Sequence, residues 1–177
     1  PENIQVGDYG EVLVCDWGLA KIIGKETEDD ELLLNPDLLN NVTLSGHIKG
    51  TPGYMSPEQV DQQKHKTKAM DIYALGAILY SLLTGERPLD GETKEILRKT
   101  ITGDIIPPNI RSSETHIPES LNAIVLKAMN IDPDKRYRSV DDLTVDIHKY
   151  LDGYSTDAEN ADAFKELSLF YQRNKTL

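Results

Sequence analysis

Between Asp71 and Thr84 apolar side chains fall on nearly every face of the helix that their spacing predicts: Ile72, Tyr73, Leu75, Ile78, Leu79, Leu82 and Leu83. A helix apolar all round belongs at the centre of a core, and Gly85 stands where a left-handed terminator is expected. Pro88 stops that pattern, and Thr93 to Thr102 then reads as an amphipathic surface helix that turns Ile96, Leu97 and Ile101 inward. After a Pro-rich link, Pro118 to Asn130 predicts a helix with Leu121, Ile124, Val125, Ala128 and Met129 on one face, broken by Asp132-Pro133. Ser139 followed by Asp142 resembles a capping box and opens a helix carrying Leu143, Ile147 and Leu151 that ends at Gly153. A last helix, about Asp157 to Asn174, aligns Ala161, Phe164, Leu167 and Tyr171.

The beginning of the chain has a different period. Ile4 to Val6 and Val12 to Cys15 are short β-favouring runs joined by Gly7-Asp8-Tyr9-Gly10, which predicts a hairpin ribbon. From Asp16 to Pro57 no period is sustained, and glycine or proline recurs at 18, 24, 36, 46, 50, 52, 53 and 57. A loop of that length is functional or disordered. The sum is a mainly α chain with one small ribbon and one long loop.

Length and composition narrow the class. The 177 residues, 38% of them hydrophobic, suffice for one domain with a core and a tail. No apolar run approaches the roughly 20 residues of a membrane span, and a cytoplasmic location fits best. A formal net charge of −11, densest at Glu26, Glu28, Asp29, Asp30 and Glu31, argues against nucleic acid as a partner. The single cysteine, Cys15, excludes an intramolecular disulfide, and its neighbours Val12, Leu13 and Val14 suggest a buried thiol rather than a reactive one. The chain starts at Pro1 with neither an initiator Met nor a leader-like stretch, so it is expected to begin inside a longer protein.

The ordered set Pro1-Glu2-Asn3, Asp16-Trp17-Gly18, Gly50-Thr51, Ser56-Pro57-Glu58, Asp71 and Arg136 resembles the later part of the protein kinase signature. Each match alone is weak, but the order and spacing together are specific, and the likeness covers about Pro1 to Gly153. Asp16-Trp17-Gly18-Leu19-Ala20-Lys21 is similar to the form found in bacterial eukaryotic-like Ser/Thr kinases, with Trp17 where Phe is typical. The resemblance implies a truncated kinase C-terminal lobe over 1–153, with the ribbon and a long activation loop, followed by an extension helix over 154–177.

It also implies roles. Asn3 and Asp16 are the expected Mg²⁺ ligands, because phosphoryl transfer gains most from fixed positive charge held by hard oxygen donors. Asn3, Gln5, Cys15, Asp16 and Gly18 form the expected nucleotide site, with Gln5 where an apolar side chain usually meets the adenine. Gly50, Thr51, Pro52, Gly53 and Tyr54 are the expected substrate-receiving segment. There Thr51 is the form seen in Ser/Thr kinases and supports the catalytic base. Glu58 and Arg136 are an expected buried ion pair, and Asp71 is expected to hold the catalytic loop. Thr43 and Ser45 are candidate phosphosites in the loop.

The Gly-rich loop, the strand Lys with its Glu partner, and the His-Arg-Asp base are expected upstream of Pro1. ATP and Mg²⁺ binding is therefore expected of the intact protein rather than of this segment alone, which should be inactive. Expected partners are protein substrates, the N-terminal lobe and, through apolar surface that lobe helices normally cover, further copies of the segment. A pseudokinase or binding scaffold is the alternative function. A small helical protein with chance matches accounts for neither the long loop nor the wholly apolar helix.

Overall fold

The structure is a computed structural model that describes residues 1–17, 50–61, 67–112 and 115–174. The chain divides into two compact units, Pro1–Lys49 and Gly50–Leu177.

In the first unit β1 (Ile4–Val6) pairs antiparallel with β2 (Val12–Val14), in the register Ile4 to Val14, Gln5 to Leu13 and Val6 to Val12. The Gly7 N–H donates to the Glu11 carbonyl at 2.9 Å, and Gly10 takes a left-handed φ of 83° in the connecting turn. At the open end the Cys15 N–H donates to the Asn3 carbonyl at 2.7 Å, which extends the ladder by one pair. Val12, Leu13 and Val14 are exposed and Cys15 is only half-buried, so the expectation of a buried thiol does not hold. A two-stranded ribbon has no layer of its own to cover either face.

The second unit is helical. α1 (Pro57–Val60) is one turn, α2 (Lys68–Thr84) is the long central helix, and α3 (Thr93–Thr102) and the short α4 (Pro108–Arg111) follow. Then come α5 (Glu119–Ala128), a 3₁₀ turn over Pro133–Lys135, α6 (Val140–Leu151) and α7 (Ala163–Arg173). α2 begins three residues before Asp71, because Lys68, Ala69 and Met70 continue the turn and Met70 is buried. It ends where Gly85, at φ 72°, turns its N–H to the Ser81 carbonyl.

The core forms where α5 lies against α2. Tyr73, Ala77 and Tyr80 of α2 pack with Val125 and Met129, while Ile72 packs with Ile124, Ala128, Tyr137 and Leu143. Gly76 permits the crossing: a Cβ there would lie 2.7 Å from the Ala128 Cβ. Leu82, near the end of the helix, is 77% exposed.

Three expectations are corrected in detail. On α3 the inward residues are Ile96 and Thr100, and Ile101 faces out. Thr100 tolerates burial because its hydroxyl donates to the Ile96 carbonyl at 2.9 Å, which leaves no polar group unsatisfied. On α6 Leu143 is buried, but Leu151 is exposed. The last helix starts at Ala163 rather than near Asp157, and the Phe164, Leu167 and Tyr171 positions are all exposed. The Asp157 and Ala158 N–H groups are claimed by the Asp146 carboxylate, and Asp162 caps the helix by accepting from the Lys165 N–H at 2.8 Å. Among the described residues no helix is long and apolar enough to cross a membrane.

Candidate functional site

Side chains of an antiparallel ribbon alternate between faces, and directly opposed residues share one. With the register above, Gln5 and Leu13 share a face. The Asn3–Cys15 pair, two residues further along each strand, falls on the same one. The ribbon therefore brings together Asn3, Gln5 and Cys15, three of the residues expected at the nucleotide, while Ile4, Val6, Val12 and Val14 take the other face. Asp16 follows Cys15 directly and is held in a left-handed conformation, φ 62°, which Asp adopts more readily than most side chains. The Trp17 indole N–H then donates back to the Val14 carbonyl at 2.9 Å and folds the motif against its own strand. Asn3 and Asp16 are both exposed. Gly18, the remaining residue of this group, lies outside the described residues, as do Thr43 and Ser45.

An amide oxygen and a carboxylate at one end of a ribbon suit a hard divalent cation such as Mg²⁺, which keeps part of its shell as water and phosphate oxygen. Among the described residues no group of three or more His, Cys, Asp or Glu side chains is arranged to hold a metal by itself. The donor set thus fits an ion shared with a phosphate better than one in a closed protein cage.

In the second unit, residues 50 to 54 make a turn in which the Tyr54 N–H donates to the Thr51 carbonyl at 3.2 Å. Gly53 is buried at φ 93°, and a Cβ there would meet the Leu89 carbonyl oxygen at 3.3 Å, so the position favours glycine on two counts. The Tyr54 hydroxyl is 3.2 Å from the Ser81 hydroxyl, which ties the turn to α2, while Thr51 and Gly50 are exposed and Pro52 is half-buried. A segment with a fixed back and an exposed front can receive an extended peptide.

The next residues lock that segment. Ser56 is fully buried: its hydroxyl accepts from the Gln59 N–H at 3.4 Å, and its own N–H donates to Gln59 Oε1 at 2.9 Å. This is a complete capping box on α1, and Ser56-Pro57-Glu58-Gln59 carried its signature, although the sequence reading did not place a helix there. Glu58, the second residue of α1, faces Arg136, which follows the 3₁₀ turn. Arg136 Nη1 donates to Glu58 Oε1 at 2.9 Å and Nη2 to Oε2 at 2.7 Å, with side-chain exposures of 0% and 6% for the arginine and the glutamate. Arg136 also donates to the Ala69 carbonyl at 2.8 Å and the Asn130 carbonyl at 2.7 Å, joining α1, the start of α2 and the end of α5. Its guanidinium lies 5.1 Å from the centre of the Tyr73 ring. Burial pushes the Tyr73 hydroxyl up to about 12, with the Arg136 charge pulling it down and that of Glu58 pushing it up. Asp71 sits in the first turn of α2 and is exposed.

The sequence reading missed one polar centre entirely. Asp146 on α6 is fully buried, and its carboxylate accepts from the Tyr137 hydroxyl at 2.7 Å and from the Asp157 and Ala158 N–H groups at 2.5 and 3.1 Å. Burial, then the hydrogen bond to Asp146, drive the Tyr137 hydroxyl far above the usual tyrosine range. Asp146 falls on the apolar side of α6, three residues after Leu143, and that placement was the available signal.

A family model for the protein kinase domain matches residues 1–147. The serine/threonine-protein kinase PknD of Protochlamydia amoebophila (strain UWE25) is 38% identical over 159 residues, which is 88% of this chain and 16% of that protein. PknD of Chlamydia abortus is 37% identical over 158 residues and PknD of Chlamydia pneumoniae 36% over 156, each match covering 86% of this chain and 16% of the relative. The chain thus spans 16% of the length of these relatives.

Proposed function

Because the chain belongs to the protein kinase family, we propose that the longer protein of which it forms part transfers the γ-phosphoryl group of ATP to serine and threonine hydroxyls of proteins. The observation that carries this reading is the open end of the ribbon. There the Cys15 N–H to Asn3 carbonyl bond sets an amide-bearing side chain beside a strand that leads straight into Asp16. In this reading Asn3 and Asp16 hold Mg²⁺, which supplies charge neutralisation to the phosphates when bound. Gln5 and Cys15, on the Asn3 face, contact the base. Gly18 serves the same nucleotide site.

Residues Gly50 to Tyr54 receive the protein substrate, and the exposed Thr51 is the member free to support a catalytic base. Glu58 and Arg136 act structurally, holding that segment against the helical unit, and Asp71 anchors the catalytic loop. Thr43 and Ser45 are the proposed regulatory phosphosites. The domain runs to about Gly153, and 154–177 is its extension. The His-Arg-Asp and strand-Lys motifs are not in the sequence, so the 177-residue chain alone is expected to be inactive. A cytoplasmic setting is part of the same proposal, as is self-association through exposed apolar surface.

Phosphoamino-acid analysis tests the substrate class. A generic basic protein labelled by the longer protein should carry phosphoserine and phosphothreonine. Label confined to phosphotyrosine would overturn the assignment, and binding of protein partners without any transfer would favour a non-catalytic scaffold.

A further inference from the structure

The loop that joins α2 to α3 lies directly behind the turn proposed to receive the substrate. Its Leu89 carbonyl faces Gly53, where a Cβ would meet the oxygen at 3.3 Å, and Pro88 and Leu89 are both buried. Glycines with left-handed φ bracket the loop, Gly85 at 72° and Gly91 at 122°, so its own backbone does little to fix its position. Side chains fix it instead. Arg111, the last residue of α4, donates from Nε to a Glu86 carboxylate oxygen and from Nη2 to one of Asp90, and so spans the loop on either side of Pro88 and Leu89. The Lys99 ammonium of α3 adds a bond to the Asp90 carbonyl at 3.2 Å.

The clamp has a firm base. Pro108 of α4 is fully buried, the Tyr80 hydroxyl of α2 donates to the Ile106 carbonyl at 3.0 Å, and the Asn109 N–H donates to Asn122 Oδ1 of α5 at 3.3 Å. The Arg111 side chain is 17% exposed, whereas those of Glu86 and Asp90 are 55% and 61% exposed. Ion pairs so open to solvent add little to global stability, so what this bridge sets is local. Drawing Glu86 and Asp90 to one planar group fixes the backbone between them, and a guanidinium does this where an ammonium, a single point charge, does not. We propose that Arg111 is a positioning residue for the protein substrate: by bridging Glu86 and Asp90 it holds the Leu89 carbonyl against Gly53, and thereby sets the exposed front of residues 50 to 54. The inference rests on the reading that this turn receives the substrate.

Steady-state kinetics of the longer protein, with a generic basic protein as substrate, separates this role from a merely structural one. Arg111→Ala should raise KM for the protein substrate at least about threefold while KM for ATP stays unchanged. Arg111→Lys should restore little. The nearly isosteric surface pair Glu86→Gln with Asp90→Asn breaks the same bridge with the opposite change of charge, and should raise that KM as well. Combining the pair with Arg111→Ala should add nothing further. Opposite shifts in KM would mean that Arg111 controls charge near the substrate rather than position, and would overturn the proposal, as would full recovery by Arg111→Lys. Exchange of the Tyr54 N–H, which donates to the Thr51 carbonyl, should quicken in the bridge-breaking variants with little change in melting temperature. Unaltered exchange, or a general loss of the fold, refutes the mechanical link. An unmodified longer protein that transfers no phosphate overturns the substrate reading itself, whereas transfer with an unmoved KM overturns the role of Arg111 alone.

Discussion

Replacing Arg136 by alanine should be among the most damaging single changes available in the helical unit. The guanidinium is fully buried, and it satisfies both oxygens of the Glu58 carboxylate together with the carbonyls of Ala69 and Asn130. Arg136→Ala strands a carboxylate that is only 6% exposed and removes the donor from two carbonyls. Breaking a buried pair from one side costs about 3–5 kcal/mol, against a total stability of about 5–15 kcal/mol for a domain. The two sides are unequal. Glu58→Ala leaves Arg136 with its carbonyl partners, and Glu58→Gln keeps one acceptor oxygen in place. Their costs should therefore fall in the order Arg136→Ala, Glu58→Ala, Glu58→Gln. Arg136→Lys should recover little, because one ammonium cannot reproduce a two-pronged contact plus the bond to the Asn130 carbonyl. Urea unfolding followed by far-ultraviolet circular dichroism measures these differences. An Arg136→Ala cost below about 1 kcal/mol, or a Glu58→Ala cost exceeding it, would show that the pair is not the junction described.

Three further outcomes follow from the packing and the buried hydroxyls. Gly76→Ala gains about 1 kcal/mol of helix propensity but drives a methyl to 2.7 Å from the buried Ala128 Cβ, an overlap costing about 1–3 kcal/mol; a net loss in melting temperature is expected, and a gain would mean that α2 and α5 do not cross at this point. Asp146→Ala leaves the Tyr137 hydroxyl and the Asp157 and Ala158 N–H groups without an acceptor, at about 1–3 kcal/mol for each buried group; hydrogen exchange at residues 157 and 158 should accelerate, and unchanged protection would discount the anchor. Tyr73 is raised from 10.0 to about 12 when folded, so the native state holds its proton longer than the unfolded chain, and this contribution is intact below pH 10 and lost as pH rises through about 12; Tyr73→Phe should flatten that alkaline fall, and an identical alkaline midpoint would refute the assignment.

The helices that the sequence made legible are those whose period and punctuation agree. α2 was readable from its apolar density and Gly85, and α5 from Pro118 and the run to Met129, because burial of those side chains decides the structure. Finer choices were hidden. The pattern favours Ile101 over Thr100 as the buried residue of α3, and only the hydroxyl bond to the Ile96 carbonyl shows why the threonine goes inside. α7 begins at Ala163 because Asp146, on the preceding helix, takes the Asp157 and Ala158 amides that would have started the helix sooner. A contact between separate elements of that kind leaves no local period to read. At the candidate site the order of motifs was visible, and so was the pairing of Glu58 with Arg136, but not the grouping of Asn3, Gln5 and Cys15 on one ribbon face. That grouping depends on the strand register, which the Gly7 to Gly10 turn sets and composition does not reveal.

The most direct measurement of the central claim is Mg²⁺-dependent transfer of labelled phosphate from ATP to a generic basic protein by the longer, upstream-extended protein, compared with its Asp16→Ala and Asn3→Ala variants and with the 177-residue chain alone. The account predicts transfer by the extended protein, a loss of about a hundredfold or more for Asp16→Ala, a clear loss for Asn3→Ala, and none from the chain alone. Full activity of Asp16→Ala, or an extended protein that binds partners yet transfers no phosphate, would contradict it.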